Sequence, residues 1–481
     1  MLPPLPPSKA SAETTIGPSP VNEARRKPLC FTKLQTIMIV GFLGAYIALW
    51  HVADFHNPWA SKISSNIAHL EAQDYLMLSP EEAQYQTAPD TGIDAFRKTN
   101  TSFSQPVTLP LLKGRKFATG VPSIVLCHLG DTFRHGEHII FALLQARKFN
   151  PSTPIYLIAS KKVVDQKLFP EIVKMGIIHV YAESMKDDLF IKQFFKRFVV
   201  SGNMAVGKNS GNKNFNKVTM ARLFYVHKLM TDLKLTKVFH LENDNLIYFS
   251  IDKYATIAEQ CKLKVGLEAR ELLDDTRPAR QFLIAGTMYI HDANALKAVL
   301  DYSIDLLKLG VRHIKKKLKH SQINDMTLLA LYYLDKGRKL QSMTILPENP
   351  QIDEPNRGTW KGRDKVQKCL QEKAKIIFDN AAISIWNGGT FHDKKKQPFR
   401  STTMASAWYA YSRVDARKYD LMWTNNCFDH GDNSTAALLI CNCPFIVGKK
   451  GTQYAGQHAL VGSLHMHSKE LRKFLSKCQK K

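Results

Sequence analysis

The stretch from Lys237 to Tyr248, KVFHLENDNLIY, carries the residue types best suited to chemistry in this chain. An apolar run through Val238, Phe239 and Leu241 stops at Glu242-Asn243-Asp244-Asn245 and resumes as Leu246, Ile247 and Tyr248. A strand that carries Glu242 and Asp244 places both on one side, because strand side chains alternate with period 2. Neighbouring carboxylates repel unless a cation lies between them, so the pair reads as a divalent metal site. Open α/β sheets bind ligands at the C-terminal ends of their strands, which is where this pair falls. The plainer alternative is an acidic turn between two strands.

The elements that must position this pair begin near Val121. Apolar strands at Ser123–Cys127, Ile155–Ala159 and Ile177–Tyr181 alternate with helices expected over about 137–148, 163–175 and 188–200. Such alternation predicts βαβ units, hence an α/β fold with a mostly parallel sheet flanked by helices on both faces. A Gly/Asn/Lys segment, Ser201 to Asn216, interrupts the pattern and is long enough to be a functional loop. Val218, Ala221, Tyr225, Leu229 and Leu233 then recur at helical spacing, so a packed helix leads into the acidic strand. Further strands are expected at Val265–Ala269 and Thr287–His291, and helices at Ala293–Leu309, N-capped by Asp292, and at Asn324–Asp335. Asp379-Asn380-Ala381-Ala382, after the strand-like run Ile376–Phe378, reads as a ligand-side or structural turn.

Upstream, residues 34–53, LQTIMIVGFLGAYIALWHVA, contain no charged side chain. About 20 residues at about 1.5 Å rise span the ~30 Å hydrocarbon layer, so this is a transmembrane signal-anchor. Arg25, Arg26, Lys27 and Lys33 precede it, which places the disordered tail 1–33 in the cytosol and the rest outside it. Residues 54–119 read as a stem and 120–481 as the globular domain. Asn100 and Asn433 head N-glycosylation sequons that suit a secretory lumen. Of eight cysteines, Cys30 is cytosolic. Among the others, Cys427, Cys441 and Cys443 suggest a lumenal disulfide, and the odd count leaves one thiol free, expected to be Cys127. A net charge of +25 suggests nucleic acid in a soluble protein, but the topology argues against it. The Lys-rich runs read as solvated faces that also attract an anionic substrate or an anionic membrane surface.

A membrane anchor and stem, three βα units, and a helix delivering an acidic E-x-D to a strand end together resemble the GT-A glycosyltransferases of the Golgi. The likeness runs from about Val121 to Phe474. It implies a Rossmann-like, mixed but mostly parallel sheet and a Golgi (or ER) single-pass type II membrane protein. It also implies transfer of a sugar from a nucleotide-diphosphate donor to a hydroxyl on a glycan, protein or lipid. In that family the paired carboxylates hold Mn²⁺ (or Mg²⁺) against the donor diphosphate. Here the first position is Glu242, a longer ligand, so Asp244 is the safer one. A C-terminal histidine often joins the metal in the family, and Leu464-His465-Met466-His467-Ser468 supplies His467, favoured, with His465 close behind. Asp325, opening its helix, matches the acceptor-side general base of inverting members, although an acidic residue there also suits capping and the helix dipole. The resemblance further puts the donor beside Cys127, His128, Gly130 and Asp131. It sets Gly286, in a loop just before a strand, near the donor sugar. Arg222 reaches the diphosphate, or else makes a surface ion pair. Two competing readings are a catalytically silent lumenal partner that keeps the fold and a nucleotidyltransferase; no Gly-rich activating loop supports the latter.

Overall fold

The computed structural model describes residues 120–130, 137–164, 169–198, 215–269, 283–318, 323–337, 339–348, 365–388, 416–427, 439–452, 454–466 and 471–480. The expected tail, membrane span, stem, both sequons, most of the 201–216 loop and His467 lie outside these residues. Among the described residues no helix is long and apolar enough to cross a membrane.

Strands β1 (Ser123–His128), β2 (Ile155–Ala159), β3 (Ile178–Tyr181), β4 (Val238–Leu241), β6 (Val265–Ala269), β7 (Leu283–Ile290) and β8 (Thr344–Ile345) form a seven-stranded sheet in the order β3-β2-β1-β4-β7-β6-β8. The first four in that order run parallel, β7 runs antiparallel to β4 and β6, and β6 and β8 are parallel. The mixed, mostly parallel architecture follows from strands that are apolar on both faces. Val125, Tyr156, Ile158 and Val180 meet one core, under helices α1 (Leu189–Arg197), α2 (Phe215–Leu233), α3 (Ala293–Lys308) and α4 (Asp325–Tyr332). Ile124, Leu126, Ile155 and Leu157 meet the other, which takes in Ile139, Leu143, Tyr254 and Leu370.

A second sheet was not legible beforehand. Strands β10 (Tyr419–Thr424), β12 (Cys443–Gly448), β13 (His458–His465) and β5 (Asn245–Ile247) lie side by side, and β9 (Ile376–Phe378) pairs with β13. Short β11 (Leu439–Cys441) and β14 (Cys478–Lys480) pair separately. The chain therefore leaves the main sheet at Leu241, turns through Glu242–Asp244, and enters the second sheet at Asn245. Antiparallel pairing of β5 with β13 sets His465 directly opposite Asn245.

Several expectations need correction. Glu242 and Asp244 occupy a tight turn, closed by the Asn245 amide donating to the Glu242 carbonyl at 3.1 Å, not a continuing strand. Two acidic residues beside asparagines favour a turn, and the turn aims the side chains that alternation was expected to aim. The helix expected over 163–175 is described as two short pieces, Lys161–Val164 and Phe169–Lys174. Strand β7 starts four residues earlier than expected, at Leu283, so Gly286 sits inside a strand rather than in a loop before one. Helix α4 ends at Tyr332 and continues as a π-turn to Gly337. Among the described residues three disulfides are present where one was anticipated: Cys261–Cys369, Cys427–Cys443 and Cys441–Cys478. Cys127 is free and buried, as the odd count required.

Candidate metal centre

The turn after β4 and the end of β13 bring Glu242, Asp244 and His465 together, with one potential ligand atom from each within 4.8 Å of the others. His465 Nε2 lies 2.9 Å from Glu242 Oε2 and 3.6 Å from Asp244 Oδ1. Two ligands on one cation at a bond length of about 2.1 Å stand about 3 Å apart when cis and about 4 Å apart when trans. The spacing therefore fits a single small divalent ion. Two carboxylates and an imidazole also form a donor set that Mn²⁺ accepts readily. Asp244 is the most open of the three, with its side chain 28% exposed against 16% for Glu242 and 1% for His465. The open side of the cluster is thus the Asp244 side, where further ligands have room.

Backbone hydrogen bonds lock this geometry from both sheets. The Glu242 amide donates to the Gly286 carbonyl of β7 at 2.9 Å, and the Met466 amide donates to the Asp244 carbonyl at 2.9 Å. Asn245 Nδ2 donates to Thr287 Oγ1 at 2.9 Å. Asn243 bonds His128 at the end of β1, 3.1 Å away, tying the turn to the neighbouring strand. Asp379 accepts from the amides of Ala382, Ile383 and Ser384, and the Ser384 hydroxyl donates to the His465 carbonyl. The Asp379-Asn380 cluster is therefore a structural turn that braces β13. Asn380 Nδ2 caps the end of β6 at the Ala269 carbonyl, 2.7 Å away.

The charges are arranged as a chain. Arg222, on α2, bonds Glu242 and also Asp325 Oδ2 at 2.9 Å, and all three side chains are at most 16% exposed. It is neither a surface arginine nor open to solvent. Burial works against ionisation of Glu242, but Arg222 and then His465 hold its carboxyl well below the usual range. Burial likewise disfavours a charged His465, yet the contact with Glu242 holds the imidazole well above its ordinary value. Asp244 is pushed up to about 6 by burial, opposed by His465 and reinforced by the charge of Glu242. Without a cation the cluster thus favours an imidazolium between carboxylates, and a bound cation would displace that proton.

Other anticipated site residues fall in different places. Cys127 points into the core with 6% exposure, and burial pushes its thiol up to about 12, so it is not presented to a donor. Gly130 lies at the same strand end, where its carbonyl accepts from Ser160. Asp325 sits at the first turn of α4 behind an Asn324–Thr327 capping box and is 5% exposed. Gly286 lies beneath the cluster: a Cβ there would come 2.5 Å from Glu268 Oε2 and 2.6 Å from His465 Nδ1. We expect Gly286→Ala to force these groups apart, costing about 1–3 kcal/mol by overpacking and weakening Mn²⁺ binding. Denaturant melts and a Mn²⁺ titration check this; wild-type values for both would show that the glycine is dispensable.

Sequence reasoning passed over Glu268 and Ser463. A lone glutamate inside the apolar strand VGLEA was a usable signal, because a fully buried carboxylate needs a partner.

No protein-family model matches the chain, and no curated protein matches it. Solved structures do. Mouse xyloside xylosyltransferase 1, in its apo form, aligns with a TM-score of 0.35 and 11% identity over 52% of this chain and 93% of that one. The galactosyltransferase LgtC in complex with donor and acceptor sugar analogues gives 0.28 and 14%, over 47% and 73%. The PaToxG glycosyltransferase gives 0.28 and 10%, over 52% and 81%. These structural neighbours are glycosyltransferases. At such scores the likeness carries no argument about activity, which has to rest on the site.

Proposed function

We propose that this chain is a metal-dependent glycosyltransferase that moves a sugar from a nucleotide-diphosphate donor to an acceptor hydroxyl. The observation that carries it is the convergence of Glu242, Asp244 and His465, far apart in sequence, at the C-terminal end of β4 with the spacing of one cation. Bound there, Mn²⁺ would supply Lewis-acid stabilisation of the charge that develops on a leaving diphosphate. Asp244, on the open side, orients that face of the site. His465, pinned by β13, closes its buried side. Arg222 offsets the charge of Glu242 so that the turn folds without excess repulsion.

Asp325 suits charge balance better than proton abstraction, because it is buried and held by Arg222 rather than presented to an acceptor. Asp325→Asn is expected to lower stability while leaving kcat within about tenfold and its pH profile unchanged. A fall of about 10²–10⁴ in kcat with the fold intact would instead mark it as the general base.

The compartment belongs to the same proposal. Three disulfides suit an oxidising lumen, and the apolar segment 34–53 with cations before it suits a type II Golgi membrane protein. N-glycans at Asn100 and Asn433, and a glycan, glycoprotein or glycolipid acceptor, fit that setting.

A second reading, a silent lumenal partner, is favoured by one feature. Arg222 already neutralises Glu242, so the turn does not require a metal to be stable. A thermal-shift series on the full-length chain separates the two. The enzyme reading expects Mn²⁺ to raise the melting temperature, EDTA to reverse this, and one nucleotide or nucleotide sugar to add a selective shift. Ligand at about 100 times its Kd stabilises by about 2.7 kcal/mol. No shift with any divalent cation or nucleotide, together with no nucleotide-sugar hydrolysis, would leave the silent partner.

A further inference from the structure

We propose that Glu268 is the positioning residue for His465, fixing which ring nitrogen faces the cation; this rests on the metal-dependent reading above. Glu268 belongs to β6, which lies two strands from β4 in the main sheet, with β7 between them. Its carboxylate is fully buried. One oxygen, Oε1, accepts from Ser463 Oγ at 3.1 Å, and the other, Oε2, lies 3.8 Å from His465 Nδ1. The opposite ring nitrogen, Nε2, faces Glu242 and Asp244.

Two local features bring this about. The β6–β7 register shifts between Gly266 and Glu268, an irregularity of the kind that re-aims a side chain. Gly286 then leaves a gap in β7 where a Cβ would collide with both Glu268 Oε2 and His465 Nδ1. The carboxylate of β6 and the imidazole of β13 therefore meet over a glycine in the strand that separates them. A buried carboxylate beside Nδ1 keeps the proton of the neutral ring on that nitrogen. The lone pair of Nε2 is then directed at the position between Glu242 and Asp244. Metal-binding histidines are commonly oriented by such a carboxylate, and its loss typically costs 10–100-fold in metal affinity.

The test is a Mn²⁺ titration of the full-length chain followed by the paramagnetic signal of free Mn²⁺, with apo melting temperatures measured in EDTA. Glu268→Gln, nearly isosteric, is expected to weaken Mn²⁺ binding roughly 10–100-fold while the chain still melts cooperatively. His465→Ala should weaken it too. The double variant should bind no worse than His465→Ala alone, within about twofold, because Glu268 acts through the imidazole. Ser463→Ala, a gentler change that frees the Glu268 carboxylate, should give a smaller loss in the same direction and decides the matter if Glu268→Gln does not fold. Unchanged affinity in the folded Glu268→Gln variant, or additive losses in the double variant, would overturn the assignment and leave the metal site standing. A wild-type chain that binds no Mn²⁺ would overturn the metal reading and this assignment together.

Discussion

Asp244→Asn is expected to lower glycosyl transfer by about 10³-fold while the fold is retained. The size follows from the several kcal/mol that a bound divalent ion contributes to stabilising a leaving phosphate, at about 1.4 kcal/mol per tenfold. Asp244 is the most open carboxylate of the candidate cluster, and asparagine supplies one neutral oxygen in place of a charged carboxylate. The backbone should tolerate the change, because the turn is closed by the Asn245 amide on the Glu242 carbonyl and tied to β13 by the Met466 amide on the Asp244 carbonyl. Circular dichroism and a Mn²⁺ titration, alongside the rate, check all parts of this. A rate within about threefold of wild type would remove Asp244 from the chemistry.

The same residue shares the pH dependence of the site with His465, whose imidazolium proton a cation would also displace. Its carboxyl is raised from 3.8 to about 6, first by burial, with Glu242 adding to it and His465 opposing. Ionised Asp244 therefore costs the metal-free chain stability above about pH 6, and protonation relieves that cost as pH falls from 7 towards 4. A proton and a cation compete for the same oxygens, so acidification weakens the metal site. Mn²⁺ affinity is expected to fall by up to about tenfold per pH unit below pH 6 through this group. In Asp244→Asn that segment of the profile should flatten.

Arg222→Met should be the most destabilising single change near the site. It leaves Glu242 and Asp325 as buried carboxylates without their shared guanidinium. Breaking one partner out of a buried ion network typically costs about 3–5 kcal/mol, because an uncompensated charge remains. In a domain of this size that corresponds to a fall of roughly 4–7 °C in melting temperature. Arg222→Lys should recover only part, since one ammonium cannot span both carboxylates as a planar fork does. Asp325→Asn introduced into Arg222→Met should restore stability by relieving one of the two stranded charges. Denaturant titration of the four chains measures this directly. A loss below about 1 kcal/mol for Arg222→Met would mean that the two carboxylates find other partners or take up protons at little cost.

Much of the architecture was legible from local chemistry. Strands that are apolar on both faces, such as SIVLC and IYLIA, can only be buried in a sheet covered on both sides, so β1 to β4 and their helices were readable by period. Asp292, a short polar residue before an apolar-periodic run, was readable as the cap of α3, and its side chain accepts from the Ala295 amide at 2.8 Å. The acidic pair stood out because carboxylates rarely interrupt an apolar run without a partner. Its immediate neighbours in sequence were enough to raise the idea of a cation.

What the local sequence could not hold is everything that depends on residues far apart meeting. The turn at Glu242–Asp244 is where the chain changes sheets, and that depends on β13 arriving from more than two hundred residues later to pair with β5. That pairing brought His465 to the cluster; no local pattern distinguishes it from His467, two residues on in the same stretch. Gly286 looked like loop glycine because only the side chains packed above it, from β6 and β13, show why a Cβ is excluded. Arg222 looked ready for a phosphate because a helix face gives no hint of two carboxylates converging on it. Residue type and spacing act over a few residues and so determined the strands, the helices and the presence of an acidic turn. Electrostatic partnership acts through space at about 3–4 Å, and only the folded chain decides which groups come that close.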